Sequence, residues 1–234
     1  MKTILLFFSL TAFFIGNTQV VINVDNTRER LASRNVFNTG FPVPNVKYVR
    51  LVSGSPYFSE TWMKSEVVND TTIYNGPVVR LDLLEGTLVY LNDYGEELTS
   101  DQVFTAVSLT DTITSNNYLF VHSSYIAGTS AKEKTWYQLL TGQRITLFKQ
   151  YYKRMMETKP FASSVTEQTI VTEIRYFIAV DGKFSRIKTS GDIANLVVNN
   201  KQALKDHVKK NNLNASEEDL LATVEYYDTL KKHE

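Results

Sequence analysis

The sequence predicts an α+β protein: an antiparallel, twisted sheet or partial barrel, built as a β-meander and followed by a small C-terminal cluster of helices. Residues 54–92 contain short runs of β-branched and aromatic residues separated by turn residues, which is the pattern of successive strands. Further strand-like runs extend to residue 187, and beyond Lys188 the apolar residues recur at helical spacing. Hydrophobic residues make up 43% of the 234-residue chain, which is enough to form a packed core.

Residues 1–18 have the pattern of an export signal. Lys2 precedes two apolar runs, Ile4–Leu10 and Ala12–Ile15. A membrane anchor is the alternative interpretation, but these runs are shorter than the roughly 20 residues of a membrane span. We therefore expect cleavage near Gln19, a periplasmic or secreted location, and no transmembrane anchor once the signal is removed.

Residues 19–45 are expected to form an N-terminal strand, at Val20–Val24, and a connector. Pro42 and Pro44 hold the connector extended, and neither can donate a backbone hydrogen bond to a sheet. The chain has no cysteine, which excludes disulfides, thiolate metal sites and a lipid anchor attached at a cysteine. Packing alone must therefore stabilise the exported protein.

The centre of the predicted meander is the stretch 54–92. Three groups of turn residues divide it: Asn69-Asp70, Asn75-Gly76-Pro77 and Glu85-Gly86. Between these breaks the β-forming residues are Val67–Val68, Thr71–Tyr74, Val78–Leu84 and Thr87–Leu91. We therefore predict a chain that reverses direction at each of the three breaks.

The rest of a β-rich domain over residues 46–188 consists of shorter runs. Strands are predicted at Val103–Leu109 and Tyr118–His122, followed by a hairpin of Trp136–Leu140 and Ile145–Tyr152 around Gly142. Pro160 breaks the next segment, so Met155–Gln168 is predicted to be a loop. Thr169–Val180 and Lys183–Ile187 form the clearest hairpin, because Asp181-Gly182 is a strong signal for a two-residue turn.

Residues 189–234 are predicted to form three helices. Ile193, Leu196 and Val197 indicate the first, and the second contains Ala203, Leu204 and Val208 with Asn199 or Asn200 as its cap. The third opens at Asn214–Ser216, where Ser216 and Asp219 have the spacing of a capping box. Its apolar stripe consists of Leu220, Val224, Tyr227 and Leu230, and its cationic end of Lys231 and Lys232.

Two blocks of the chain resemble a family of uncharacterised exported proteins of Bacteroidetes-type bacteria. The first is LVSGSPYFSETWMKSEV with the strand VVRLDLL, and the second is the tail IKTSGDIANLVVNNKQALKDHVKKNNLNASEEDLLATVEYYDTL. The family pattern is a G-S-P-[YF] segment and a helical e-e-D-L…v-x-Y-Y block. Here Val79-Arg80-Leu81-Asp82 replaces the polar aromatic strand that is usual in the family. The resemblance implies an exported β-rich domain with a helical tail, and it implies no activity.

The charge balance argues against a nucleic-acid partner. Lys+Arg and Asp+Glu both number 25, so the formal net charge is zero and provides no field to hold a polyanion. Walker and Rossmann patterns are also absent, so no nucleotide cofactor is predicted. We expect no nucleic acid among the partners and no bound cofactor.

Histidine and serine provide no complete catalytic motif. His122, His207 and His233 lack the i, i+4 partners of a zinc hydrolase, so no metal site is predicted. His122 precedes two serines, but no G-x-S-x-G elbow accompanies it. Ser185 and Lys188 match S-x-x-K, yet they fall on a predicted strand, where their side chains point to opposite faces. No catalytic residue is assigned on this basis.

Acidic residues cluster at Asp82, Glu85, Asp93, Glu96 and Glu97. Two of them could act as the acid and base of a glycosidase, or as oxygen ligands of calcium. Most of them lie at predicted turns, however, and no calcium-loop pattern is present. A solvated rim is therefore the favoured interpretation.

Five aromatic residues are the candidates for ligand binding: Tyr57, Phe58, Trp62, Tyr74 and Tyr90. Together they could form a stacking platform for a carbohydrate or a peptide, although such residues more often fill the core of a sheet. The resulting expectation is an exported, non-catalytic envelope protein that binds an unknown protein or glycan partner. The alternative is an envelope hydrolase, similar to a glycosidase, that uses paired carboxylates.

Overall fold

A computed structural model of the chain describes residues 31–32, 37, 40–44, 48, 50–129, 134–161 and 164–230. The signal predicted for residues 1–18, the strand predicted at Val20–Val24, and the pair Lys231 and Lys232 lie outside the described residues. The predicted α+β class is confirmed, because an open, mostly antiparallel sheet is followed by C-terminal helices. None of the helices in these ranges is long and apolar enough to cross a membrane.

The strands and helices of the described chain have the following bounds: β1 (Leu31–Ala32), β2 (Gly40–Pro42), β3 (Leu51–Ser53), β4 (Met63–Asn69), β5 (Thr72–Asp82), β6 (Thr87–Leu91), β7 (Glu97–Ser100), β8 (Ala106–Thr110), β9 (Asn117–His122), β10 (Trp136–Gly142), β11 (Thr146–Thr158), β12 (Glu167–Val180), β13 (Lys183–Ile187), α1 (Ser190–Leu196), α2 (Lys201–Lys210) and α3 (Glu217–Thr229).

The described strands form one sheet in the order β13-β12-β11-β10-β9-β8-β4-β5-β6-β7-β2. Neighbours in this order are antiparallel, whereas β1 joins β5 and β3 joins β12 in parallel. The predicted connector thus contains a strand, because β2 ends with Pro42, which lies in the connector. Strand β2 lies at the end of the strand order, and a strand in this position tolerates a residue without a backbone N–H.

The turns at Asn69-Asp70 and Glu85-Gly86 lie where they were predicted, but the break at Asn75-Gly76-Pro77 is wrong. Strand β5 runs through these residues, and a β-bulge against β4 absorbs them. The hydroxyl of Ser65 donates to the carbonyl of Pro77 at 2.7 Å. A Cβ on Gly76 would lie 2.0 Å from that hydroxyl oxygen, so glycine allows the close approach.

Both predicted hairpins are confirmed, by the β10–β11 and β12–β13 pairs. Asp181 and Gly182 have φ values of 48° and 72°, as a type I′ turn requires. The predicted loop Met155–Gln168 is too long at both ends, because β11 continues to Thr158 and β12 begins at Glu167, where these two residues pair. This pairing extends both strands beyond what their own sequence indicated, and Pro160 lies just after the end of β11.

Side chains alternate between the two faces of the sheet, and both faces are packed. One face carries a core that runs from β4 to β10 and includes Val67, Leu109 and Phe120. A second cluster joins β11, β12 and β13 to the three helices, and a third, around Tyr137 and Phe148, lies on the opposite face. The helices therefore close one end of the sheet, as the sequence predicted.

Helix α3 has the predicted cap and the predicted apolar stripe. The hydroxyl of Ser216 accepts the backbone N–H of Asp219, and Leu220 and Val224 are fully buried. Asn200 is the N-cap residue of α2, as one of the two predicted alternatives, but it has φ 56° and its side chain forms no cap hydrogen bond. An unpredicted capping box between Thr189 and Asp192 starts α1.

Candidate ligand-binding cavity

The structure does not bring the five candidate aromatic residues onto one surface. Tyr57 and Trp62 lie on the guanidinium of Arg80, with its central carbon 4.4 Å and 4.1 Å from the two ring centroids. Arg80 also forms an ion pair with Glu97 at 2.7 Å. These two rings therefore already stack on a cation of the same chain.

The other three candidates belong to the core between β4 and β10. Phe58 packs edge-on against Tyr118, Phe120 and Tyr151. Tyr90 is 3% exposed and contacts Phe37, and Tyr74 packs against the same cluster. Their position matches the alternative considered for such residues, namely the filling of the sheet's core.

The acidic cluster is also dispersed. Asp82 is fully buried, where one carboxylate oxygen accepts the N–H groups of Leu84 and Glu85 at 3.0 and 2.9 Å. Glu96 is exposed and accepts a hydrogen bond from the side chain of Asn92. Glu85 and Asp93 are exposed at turns, and Glu97 is paired with Arg80. The acids that the sequence singled out therefore do not converge in a pocket.

A cavity of about 260 Å³ lies where β6, β7, β9 and β10 approach one another. Its walls combine apolar side chains with a few polar groups, and the lining residues are Phe41, Gly86, Thr87, Leu88, Thr99, Ser100, Asp101, Gln102, Val103, His122, Lys134 and Trp136. Ligand sites are commonly concave and apolar with a small number of placed polar groups. This cavity is therefore the candidate functional site.

His122, the last residue of β9, is a buried polar side chain in its wall. The residue is 4% exposed, and its Nδ1 accepts the backbone N–H of Ser124 at 3.3 Å, with the Ser124 hydroxyl 2.7 Å away. A ring nitrogen that accepts an N–H carries no proton, so the neutral imidazole has its proton on Nε2. That Nε2 is buried and has no hydrogen-bond partner in the described part of the protein.

Burial lowers the pKa of His122, and the positive charge of Lys134 lowers it further. The ring is therefore neutral near pH 7, and its Nε2–H is a hydrogen-bond donor without an acceptor among the described residues. In the sequence, His122 ends a predicted strand beside two serines, but no local pattern indicates its burial or the cavity.

Trp136 and Gly86 fix the floor of the cavity. The indole of Trp136 meets His122 edge-on at a centroid distance of 5.0 Å, and its N–H donates to the carbonyl of Gly86 at 3.1 Å. Gly86 has φ 70°, and a Cβ at this position would lie 1.9 Å from the carbonyl oxygen of Lys134. Glycine is therefore required for the chain to approach residues 134–136 this closely.

The mouth of the cavity is both charged and apolar. Lys134 and Asp101 are exposed there, and the charge of Asp101 contributes, after burial, to a raised pKa of Tyr90. Phe41 is 68% exposed and Val103 is 46% exposed. The lining of the cavity therefore combines an imidazole, an ammonium group, a carboxylate and an apolar rim.

A second, more open groove of about 530 Å³ lies beside β2 and β7, where Pro42, Val43, Pro44, Glu96, Glu97 and Leu98 line it. Both acids in this groove already have partners, Asn92 for Glu96 and Arg80 for Glu97. Of the residues lining the two cavities, His122 is the one with a buried polar atom that lacks a partner in the described chain.

In the ranges that the structure describes, no three His, Cys, Asp or Glu side chains are placed to hold a metal ion. Comparison of the chain with protein-family models, with curated proteins and with solved structures gave no match.

Proposed function

We propose that the chain is an exported, non-catalytic binding module and that its ligand occupies the His122 cavity. One observation carries this proposal: a buried imidazole N–H in the cavity wall has no acceptor in the described chain. A buried donor without an acceptor costs about 1–3 kcal/mol, and a ligand oxygen at Nε2 would recover this free energy. Binding of a hydrogen-bond acceptor at this donor would therefore be favourable.

The surroundings of His122 favour binding over nucleophilic catalysis. A Ser–His nucleophile needs its second ring nitrogen to be oriented by a carboxylate. Here Ser124 lies at Nδ1, while Nε2 has no carboxylate partner in the described chain. This arrangement does not orient the imidazole as a base.

The alternative function, a hydrolase similar to a glycosidase, gains no support from the geometry. That mechanism needs two carboxyl groups about 5–9.5 Å apart on either side of a cleft. Asp82 uses its carboxylate to accept hydrogen bonds from its own turn, and Glu97 pairs with Arg80. The acids that were candidates for this chemistry are engaged elsewhere.

The export pattern of residues 1–18 supports a periplasmic or secreted location for this binding function. The cavity is smaller than the roughly 300–1,000 Å³ typical of pockets for drug-sized ligands. It would therefore admit a small molecule, or one side chain or sugar unit of a larger envelope protein or glycan.

The test is a screen of neutral, anionic and cationic small molecules against residues 19–234. Trp62 and Trp136 are the two tryptophans of the chain, so a Trp62→Phe variant makes Trp136 the fluorescence reporter of the cavity. We expect at least one compound to change Trp136 fluorescence and the ¹⁵N resonances of His122 together. If every binding compound perturbs residues remote from His122, or none binds, the proposal is wrong.

A further inference from the structure

We propose that the His122 cavity selects a small organic carboxylate with an apolar body. This inference rests on the binding function proposed above and specifies the chemical class of the ligand. Three features of the cavity carry it: the buried imidazole donor and the exposed ammonium group of Lys134, neither of which has a partner among the described residues, and the apolar walls.

The donor selects a ligand with an acceptor atom. Because Nδ1 of His122 accepts from Ser124, Nε2–H can only donate, and it cannot bind a ligand hydroxyl or ammonium proton. A carbonyl, a carboxylate or a phosphate oxygen satisfies this donor. Hydrogen bonds to a charged acceptor are stronger than those to a neutral one, so the buried N–H favours an anion.

Lys134 adds the preference for negative charge. Its side chain is exposed at the cavity, and none of the ion pairs between described residues includes it. Its field reaches the imidazole, since it contributes to the lowered pKa of His122. A ligand carboxylate has two oxygens, and one can accept from His122 while the other faces the ammonium group.

The other titratable groups near the cavity do not remove this preference. Asp101 is the opposing charge, but it is exposed at the mouth and its field acts on the phenol of Tyr90. A cation attracted by Asp101 would have to place its charge against Lys134 and against the N–H of His122. Asp101 instead disfavours a ligand with a second negative charge at the mouth, such as a phosphate dianion.

The apolar walls of the cavity favour a ligand whose body, apart from its carboxylate, is apolar. Leu88 and Trp136 are buried in the wall, and the exposed Phe41 and Val103 extend the apolar surface to the mouth. Covering such surface gains roughly 25 cal/mol per Å² of apolar area removed from water. A ring or a short alkyl chain attached to the carboxylate would fit within a volume of about 260 Å³.

The experiment compares acids with their neutral amides, which have nearly the same shape: benzoate with benzamide, and hexanoate with hexanamide. Each is titrated into the Trp62→Phe protein while Trp136 fluorescence and the His122 ¹⁵N resonances are recorded. We expect both acids to bind more tightly than their amides by about two- to fivefold at low salt, as expected for one partly exposed charge pair. The difference should shrink as salt screens Lys134.

Two variants test separately what Lys134 and His122 contribute to ligand binding. Lys134→Gln should reduce acid binding to the level of the amide, whereas the matched control Lys183→Gln, at the exposed β12–β13 turn, should leave it unchanged. His122→Phe keeps a ring against Trp136 and removes the donor, so it should weaken both acids and amides. Circular dichroism checks that His122→Phe is folded, and the Lys134→Gln result stands without it.

Each outcome has a definite consequence. Equal binding of acid and amide would overturn the carboxylate inference and leave the binding function intact. If none of the four probes reaches His122 while a neutral or cationic compound in the screen does, the inference is wrong and the binding function stands. If phenyl phosphate binds more tightly than benzoate, the anion is a phosphate and the argument from Asp101 fails.

Discussion

Replacing Gly86 with alanine tests whether the floor of the cavity is as tight as the structure indicates. Gly86 has φ 70°, and its added Cβ would meet the carbonyl of Lys134 at 1.9 Å. Gly95 is the matched control, because it also has a positive φ, 79°, but nothing lies within 4 Å of an added Cβ. The two variants thus share the backbone strain and differ in the clash.

The expected loss of stability of each variant follows from the backbone strain and, for Gly86→Ala, from the clash. A left-handed backbone costs a residue with a Cβ about 1–2 kcal/mol, and this is the whole effect expected for Gly95→Ala. Gly86→Ala adds the displacement of a backbone carbonyl, for which overpacking of a core costs about 1–3 kcal/mol. We therefore expect Gly86→Ala to lower the free energy of unfolding by about 2–5 kcal/mol.

Urea unfolding, followed by circular dichroism and by Trp136 fluorescence, measures both variants against the parent. Gly86→Ala should also change the fluorescence of the folded state, because the Trp136 indole donates to the carbonyl of residue 86. If Gly86→Ala is no more destabilising than Gly95→Ala, the close approach of residues 86 and 134 is wrong. The packing of Gly86 and Trp136 at the floor of the cavity would then be looser than the structure indicates.

Leu220→Ala should cost about 2–5 kcal/mol in urea unfolding, because this fully buried side chain docks α3, whereas Val198→Ala, 76% exposed, should be nearly neutral. A cost for Leu220→Ala below about 0.5 kcal/mol would mean that α3 is not docked. Burial raises the pKa of Glu217, but the hydrogen bonds from Lys149 and Tyr176, together with the charge of Lys149, outweigh this effect, and the net pKa is lowered. The stabilisation that ionised Glu217 contributes is therefore present above its unfolded pKa of about 4.3 and is lost as pH falls through its lower folded pKa. Glu217→Gln should make the free energy of unfolding depend less on pH over this acid range. Intact-mass measurement of the exported protein should show a chain that starts near Gln19, and a retained residue 1 would contradict the signal prediction.

The parts of the fold that local sequence encodes were predicted well. Asp181-Gly182 needs no tertiary context to form a hairpin turn, because both residues tolerate positive φ and flank two strand-forming runs. The apolar stripe of α3 and its cap at Ser216 are likewise local, since both depend on spacing within one helix. Such features come from neighbours in sequence, and a pattern can therefore identify them.

The errors arose where distant partners decide the outcome. Asn75-Gly76-Pro77 contains three turn-forming residues, yet pairing with β4 keeps the segment in a strand as a bulge. The segment from Met155 to Thr158 has no strong strand pattern of its own, but pairing with β12 makes it a strand. Tertiary pairing supplies hydrogen bonds and packing that outweigh weak local propensities.

The candidate site also separates what local sequence encodes from what tertiary contacts decide. The sequence by itself determined the α+β class, the hairpin turns, the helical tail and the lack of thiol chemistry. Only the tertiary structure placed Trp136 against Gly86, residues 50 positions apart, and buried His122 in the wall of the cavity that these residues line. The physical reason is that a cavity and an unpaired buried donor are properties of strand register and packing between distant segments, which no local spacing of residues encodes.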